Sequence, residues 1–232
     1  MSGVFYGVGV GPGDPELLTV KAIKAIEAAD VIIAPKTEKK EGSVALTIAS
    51  PYLKPDVEIL TQVFPMVSDT EILTEAWASN KQTILTLLAA GKKVVFLTLG
   101  DPMFYSTYIY VFRLLGDSGY PIETIPGITA FCAIGSKLGY PLVEGNNILS
   151  IIPATIEQDK LDKALALSDN VVLMKVYKNY QDVVAKLKRH QLADNAVMIS
   201  RCGLPGEEVV HELHTAGDKK INYLSTILAR RI

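Results

Sequence analysis

Cysteine is nearly absent from this chain of 232 residues. Cys132 and Cys202 stand far apart in apolar surroundings, with no C-x-x-C spacing and no neighbouring histidine. A disulfide scaffold and a cysteine-held metal are therefore not expected, and buried thiols in a reducing cytosol fit best. Histidine is equally scarce: His190, His211 and His214 form no i,i+4 pair, so no metal is expected. There is no Gly-x-Ser-x-Gly elbow and no Cys–His dyad, which argues against covalent acyl chemistry. One-sided charge is missing too. Lys plus Arg number 23 against 25 for Asp plus Glu, a net −2 that builds no field for gathering polyanions, and no nucleic-acid partner is expected. No run of 18 apolar residues and no basic leader appears, so the expectation is a cytoplasmic protein with no membrane partner.

What is present is ordinary globular material, 49% hydrophobic and 21% charged, long enough for one large domain or two small ones. Val4 to Val10 is a short β-prone run that breaks at Gly11-Pro12-Gly13-Asp14-Pro15. Glu16 to Ala29 places Leu17, Leu18, Ala22, Ile23, Ile26 and Ala29 on one helical face, and Val31–Ala34 reads as a buried strand. The alternation recurs. A helix from about Ser68 to Ala90 ends at Gly91, a strand covers Lys93–Leu99, a helix Ser106–Leu115 and a strand Ile122–Ile125. Strands separated by helices predict a largely parallel sheet covered on both faces.

Turn formers gather at Gly139 to Asn147, which sets the expected domains at 1–142 and 143–232. Beyond them, strands are predicted at 148–152, 170–174, 196–200 and 208–213, with helices at 157–167 and 180–189; the tail 223–229 reads as a strand or a helix. The fold class is thus α/β: two α/β domains, a mainly parallel N-terminal sheet and a mixed C-terminal one.

Three glycine- or proline-rich turns, at 11–15, 100–102 and 126–127, each follow a predicted strand directly. In open parallel sheets such carboxyl-end loops converge where ligands bind. The first turn is neither a Rossmann fingerprint, lacking the third glycine, nor a phosphate loop, lacking Gly-Lys-Ser/Thr, and Asp14 and Glu16 would repel a phosphate. It is equally readable as a simple chain reversal. Gly100-Asp101-Pro102-Met103-Phe104-Tyr105-Ser106-Thr107 offers a carboxylate, a thioether, rings and hydroxyls, which suit a ligand with a cationic centre and an apolar part; Asp101 as a plain cap is the alternative. In Pro126-Gly127-Ile128-Thr129-Ala130 small residues let a flat ligand reach the backbone, and the Thr129 hydroxyl either binds or caps.

Taken in order and spacing, Val8-Gly9-Val10-Gly11-Pro12-Gly13-Asp14-Pro15-Glu16-Leu17-Leu18-Thr19, Gly100-Asp101-Pro102 and Pro126–Ala130 resemble the tetrapyrrole methylase family of S-adenosylmethionine-dependent enzymes, over the whole chain. The extended second motif, Gly100 to Tyr108, and Ala34-Pro35-Lys36 followed by Gly42-Ser43-Val44-Ala45 look most like the precorrin-2 C20-methyltransferases of cobalamin synthesis. The resemblance implies two α/β domains with the methyl donor in the cleft between them, a homodimer, and a tetrapyrrole acceptor, with the cobalt-bearing ring slightly favoured over the metal-free one. It implies donor contacts from Val10, Gly100, Asp101, Met103, Phe104, Thr129, Ala130 and Met174. Cations should meet the acceptor's carboxylates: Lys36, Lys175 and Arg201 are candidates, with Lys39, Lys40 and Lys178, while Tyr105, Ser106 and Thr107 face donor or acceptor. No base is identified. A family member with another acceptor, or a tetrapyrrole-binding module without catalysis, are the alternatives.

Overall fold

The computed structural model describes residues 2–36, 42–64, 70–216 and 220–231, and it divides into two compact units, Met1–Thr129 and Ala130–Ile232. In the first unit β1 (Val4–Gly9) leads through a turn to α1 (Val20–Glu27) and β2 (Val31–Lys36). Then come α2 (Val44–Ala49), β3 (Glu58–Val63), α3 (Thr70–Ala89), β4 (Lys93–Thr98), α4 (Tyr108–Leu115) and β5 (Ile122–Ile125). The sheet runs β3-β2-β4-β1-β5, all parallel, so β1 sits between β4 and β5 and all three strands end on the same edge.

The predicted helix 16–29 is shortened for a local reason. Asp14 accepts a hydrogen bond from the Glu16 N–H (2.9 Å) and starts a 3₁₀ turn over Pro15–Leu17, Leu18 is extended, and the Thr19 hydroxyl then caps α1 by accepting from the Ala22 N–H (3.1 Å). Both α2 and β3 went unpredicted: β3 is an edge strand whose EILTQV sequence is largely exposed, so neither apolar run nor clean alternation marks it. The core of this unit gathers Phe5, Phe96, Ile84, Leu88, Val111 and Leu115 around Tyr108. Each such side chain contributes about 1.5–3 kcal/mol on burial. Tyr108 stacks on Phe5 with ring centroids 6.2 Å apart, and its ring occupies the space a Cβ on Gly7 would need, 2.0 Å away.

The second unit opens with α5 (Ala130–Leu138) and continues through β6 (Leu149–Pro153), α6 (Gln158–Leu167), β7 (Asn170–Met174), α7 (Tyr180–Arg189), β8 (Val197–Ser200), β9 (Glu208–Val210) and β10 (Ser225–Arg230). Its sheet runs β6-β7-β10-β8-β9: β6 and β7 are parallel, while β10 is antiparallel to both β7 and β8. The tail is therefore a strand, and a central one. The division falls ahead of the expected boundary at 142/143, because α5 packs on β10 and so belongs to the second sheet. The predicted strand 208–213 stops at Val210. Leu213 instead buries its side chain in the core from a 3₁₀ turn, and its carbonyl accepts from the Tyr180 hydroxyl at 2.7 Å.

Of the two thiols, Cys202 is buried, and burial reinforced by the nearby Glu207 carboxylate pushes its pKa up. Cys132 departs from expectation: it is exposed, standing on the outer face of α5 while Phe131, Ala133 and Ile134 fill the inner one.

Candidate functional site

The three turns singled out in the sequence follow β1, β4 and β5, three neighbouring parallel strands, and the backbone knits them together. The Val10 N–H donates to the Thr98 carbonyl (2.9 Å), extending the β1–β4 ladder by one residue. Gly11 and Gly100 then exchange two bonds: the Gly11 N–H donates to the Gly100 carbonyl (3.3 Å) and the Gly100 N–H to the Gly11 carbonyl (2.8 Å). Both residues sit at positive φ, +74° and +72°, where glycine carries no Cβ penalty. The closest approach is between Gly9, Gly100 and Gly127. A Cβ on Gly127 would lie 2.2 Å from the Gly100 carbonyl oxygen, and one on Gly9 would lie 2.6 Å from both that oxygen and the Gly127 nitrogen. No other residue fits at 9 or 127 without moving backbone.

Asp101 completes the knot. Its Oδ1 accepts from the Met103 N–H (2.8 Å) and its Oδ2 from the Gly127 N–H (3.0 Å), tying the second turn to the third. Of the two expectations for this residue, the cap takes a local form, over the turn at 101–103, and the same carboxylate joins two loops. It does not cap α4, which begins at Tyr108; there the Tyr108 N–H donates to the buried Ser106 hydroxyl (2.9 Å). Below the knot the Tyr108 hydroxyl pairs with Thr124 at 2.6 Å. Burial raises its pKa against the opposing effect of that bond, so the phenol stays protonated and serves as a strut.

Thr129, where binding and capping stood as alternatives, shows neither a cap nor any other bond: its Oγ1 is buried and without a hydrogen-bond partner, as is that of Thr98 at the end of β4. Buried hydroxyls in native proteins are nearly always satisfied, which makes Thr129, next in sequence to a glycine-lined turn, a candidate for a ligand contact. Of the other candidates in the first unit, Val10 is fully buried, Phe104 is half-buried and meets Tyr105 edge to face at 4.7 Å, and Met103 and Tyr105 are about half exposed. Tyr105 holds φ +47°, rare for an aromatic residue. Thr107 is half-buried without a capping bond, and Lys36 closes β2, the strand next to β4. Lys39 and Lys40 lie outside the described residues.

The other candidates belong to the second unit. Ala130 is the first residue of α5. Met174 ends β7, its carbonyl accepting from the Ala154 N–H (2.7 Å). Lys175 follows in a left-handed conformation, Lys178 stands 5.9 Å over the Tyr177 ring, and Arg201 follows β8, also left-handed. Among the described residues no group of three His, Cys, Asp or Glu could hold a metal. His190 instead joins an ion cluster on Asp162 (2.9 Å).

A parallel sheet in which β4, β1 and the edge strand β5 deliver three backbone-fused turns to one side is the arrangement in which α/β proteins bind small molecules at strand ends. The chain belongs to the tetrapyrrole (corrin/porphyrin) methylases, whose family model matches residues 4–216. It is 34% identical, over 100% of its length and 98% of the relative, to the cobalt-precorrin-2 C(20)-methyltransferase of Salmonella typhimurium. It is also 34% identical to the precorrin-2 C(20)-methyltransferase of a Sinorhizobium species, over 98% of this chain and 97% of the relative. Among solved structures, a cobalt precorrin-4 methyltransferase superposes with a TM-score of 0.77 at 23% identity, covering 98% of this chain and 94% of that one. The uroporphyrin-III C-methyltransferase of Thermus thermophilus, crystallised with S-adenosylhomocysteine, gives 0.71 at 22%, covering 97% and 91%.

Proposed function

We propose that this chain transfers a methyl group from S-adenosylmethionine to C20 of cobalt-precorrin-2, a step of cobalamin biosynthesis. The observation that carries the reading is the knot of Gly9, Gly100, Asp101 and Gly127 beside the unpartnered Thr129 hydroxyl, in a chain aligned end to end with relatives named for this activity. The glycine cradle and the orphaned hydroxyl fit a ligand that needs close backbone approach and one polar contact.

Bound there, S-adenosylmethionine supplies a sulfonium methyl open to in-line displacement by an electron-rich ring carbon. The chain's own work is then positioning, which accounts for much of the acceleration in such reactions and asks for no nucleophilic side chain. Val10, Gly100, Asp101, Met103, Phe104 and Thr129 of the first unit are the proposed donor contacts, with Ala130 and Met174 from the second. Asp101 acts by holding two N–H groups in place, so its part is to order the loops rather than to move a proton. Tyr105, Thr107 and Lys36 are the proposed acceptor contacts of the first unit; Ser106, its hydroxyl already bonded at the start of α4, supports them.

The Sinorhizobium relative is named for the metal-free acceptor at the same identity, so that reading is tested alongside. Purified protein is given labelled donor with cobalt-sirohydrochlorin or with metal-free sirohydrochlorin. Transfer of one methyl to C20 with release of S-adenosylhomocysteine, faster on the cobalt ring, is expected. Preference for the metal-free ring transfers the assignment to that acceptor, and binding without release of S-adenosylhomocysteine leaves a tetrapyrrole-binding module. We also propose a cytoplasmic homodimer, measurable by sedimentation equilibrium; no helix among the described residues is long and apolar enough to cross a membrane.

A further inference from the structure

Along the edge strand β3 side chains alternate between two faces, and Leu60, Gln62 and Phe64 share one of them. Phe64 is buried in the core of the first unit, and Leu60 packs against that core. Gln62 stands between them, where the pattern calls for a third apolar side chain. It is 7% exposed, and its Oε1 is buried without a hydrogen-bond partner. An unpaired buried carboxamide costs stability, and native proteins seldom keep one.

Gln62 borders a cleft. A space of about 400 Å³ lies between β3 and α3, lined on the helix side by Ala76, Ser79, Asn80 and Thr83. Small-molecule sites span roughly 300–1,000 Å³, so this one is of useful size. Its wall is neutral: amides and hydroxyls alternate with the apolar Leu60, Val63 and Ala76, and no charged side chain occurs among the described residues that line it. An ionised carboxylate or phosphate would enter it without a counter-charge, at a high desolvation cost.

The backbone adds a second polar edge. The Val63 carbonyl points away from β2, since it accepts from the Asn80 side-chain N–H (2.8 Å). Thr61, two residues back, presents its own N–H and carbonyl to the same side, where β3 has no neighbouring strand. Because Asn80 stands over the Val63 carbonyl, an added peptide strand could not carry its ladder past Thr61. A compact occupant fits instead, one with both a donor and an acceptor.

We infer that the cleft between β3 and α3 is a second small-molecule site, for a neutral ligand with a flat amide edge, an N–H beside a C=O, whose N–H meets the vacant Gln62 Oε1. The site is separate from the glycine knot, because β3 is the far edge of the sheet, three strands or ~14 Å from β1. It stands independently of the function proposed above.

The probe is nicotinamide, a flat neutral carboxamide, and its matched control is nicotinate, the same ring bearing a carboxylate. Each is titrated into the full chain in excess S-adenosylhomocysteine, and the backbone resonances of Thr61 and Val63 and the side-chain amide of Asn80 are followed by NMR. Nicotinamide is expected to shift them saturably, with a Kd on the order of 1 mM for so small a ligand, and nicotinate to bind about tenfold more weakly or worse. Gln62→Met keeps the shape and removes the polar end, so nicotinamide affinity should fall about tenfold or more while the thermal midpoint holds or rises. Ser79→Phe fills the cleft from the exposed side of α3, leaves Gln62 in place and should abolish the shifts. Absence of a saturable shift in the wild type overturns the site, as do equal affinities for nicotinamide and nicotinate, or unchanged nicotinamide affinity in either variant. Shifts that appear only without S-adenosylhomocysteine assign the probe to the donor's site and overturn it too.

Discussion

The two units solve one problem, arranging chain at the ends of strands, by opposite means. In the first unit the turns touch through backbone alone: Gly9, Gly100 and Gly127 meet with no room for a Cβ, and a single carboxylate, Asp101, bolts the contact. In the second the corresponding strand ends carry side chains. Lys175 and Arg201 stand in left-handed turns, and buried Ser200 and Ser225 hydroxyls pair at 2.6 Å where β8 meets β10. Close backbone approach is unforgiving, since every substitution collides with main chain that cannot rotate away. A side-chain arrangement is tunable, since a lysine can become an arginine or a serine a threonine with local adjustment. A backbone-built surface suits a ligand that stays the same across a family, and a side-chain-built surface suits one that varies.

The sharpest way to break this contrast is a methyl group at the knot. Gly127→Ala puts a Cβ 2.2 Å from the Gly100 carbonyl, so the turns must part. We expect destabilisation of about 3 kcal/mol or more and loss of measurable S-adenosylhomocysteine binding by calorimetry. Gly145→Ala in the second unit is the control: it has a positive φ (+57°), which Gly127 does not, and nothing lies within 4 Å of the added atom. It should cost only about 1–2 kcal/mol of backbone strain and leave binding untouched. Equal effects at the two sites would show that the close backbone contact does not set Gly127 apart.

Next in size is Asp101→Ala. It frees the N–H groups of Met103 and Gly127 together and should weaken donor binding by ten- to a hundredfold, as expected for charged hydrogen bonds worth about 1.5–3 kcal/mol. Wild-type affinity with a lower thermal midpoint would reduce Asp101 to a local cap.

Smaller again is Thr129→Val, which replaces an orphaned buried hydroxyl with a methyl. Without ligand the protein should be as stable or more so by up to about 1 kcal/mol, whereas donor affinity should fall about three- to tenfold if the hydroxyl bonds the donor. Opposite signs in the two measurements are what a ligand-directed group requires. A drop in both marks a structural hydroxyl whose partner forms on folding.

This difference in construction also governs what could be read from residue order. The first unit's knot was legible because glycine and proline leave a visible mark at 11–15, 100–102 and 126–127. Only the parallel sheet, with β1 between β4 and β5, was needed to bring those marks together. Asp101 was legible as a polar residue beside a turn, but its bond to Gly127 was not, since it spans 26 positions. The second unit left less to find. Tyr177 and Tyr223 come together only because β7 and β10 are neighbours, and a central antiparallel strand formed from the tail could not be told from a helix by weak alternation. The edge strand β3 escaped for the reverse reason, its exposed polar residues giving no period to follow. The boundary expected at 142/143 followed turn formers, whereas α5 is assigned by what it packs on, which composition does not record.

Acid should expose the same division by weakening the second unit through its charges. On the facing helices α6 and α7, Asp162 is bonded to Lys186, whose side chain is buried, and meets His190 at 2.9 Å and Arg189 at 3.2 Å. The Lys186 bond, then that of His190, holds its pKa down at about 2 from an ordinary 3.8. A carboxylate depressed in the folded state stabilises at pH values above its unfolded pKa, and this contribution fades as pH falls through the folded one; the window here runs from about pH 4 down to about pH 2. Glu207 acts in the same direction: burial pushes it up, but the Lys137 ammonium and the Gly203 N–H together bring it below its usual value. As pH drops below 4, amide-exchange protection in α6, α7 and the turn at 201–207 should therefore decline before that of β1 and β4, whose fusion to the turns is uncharged apart from Asp101. Asp162→Asn should lower the thermal midpoint near neutral pH, and its deficit relative to wild type should shrink across the window and vanish below it. A deficit that stays constant from pH 7 to pH 2 would mean that the side chain stabilises α6 by shape and hydrogen bonding alone, and that charge plays no part in separating the two units' stability.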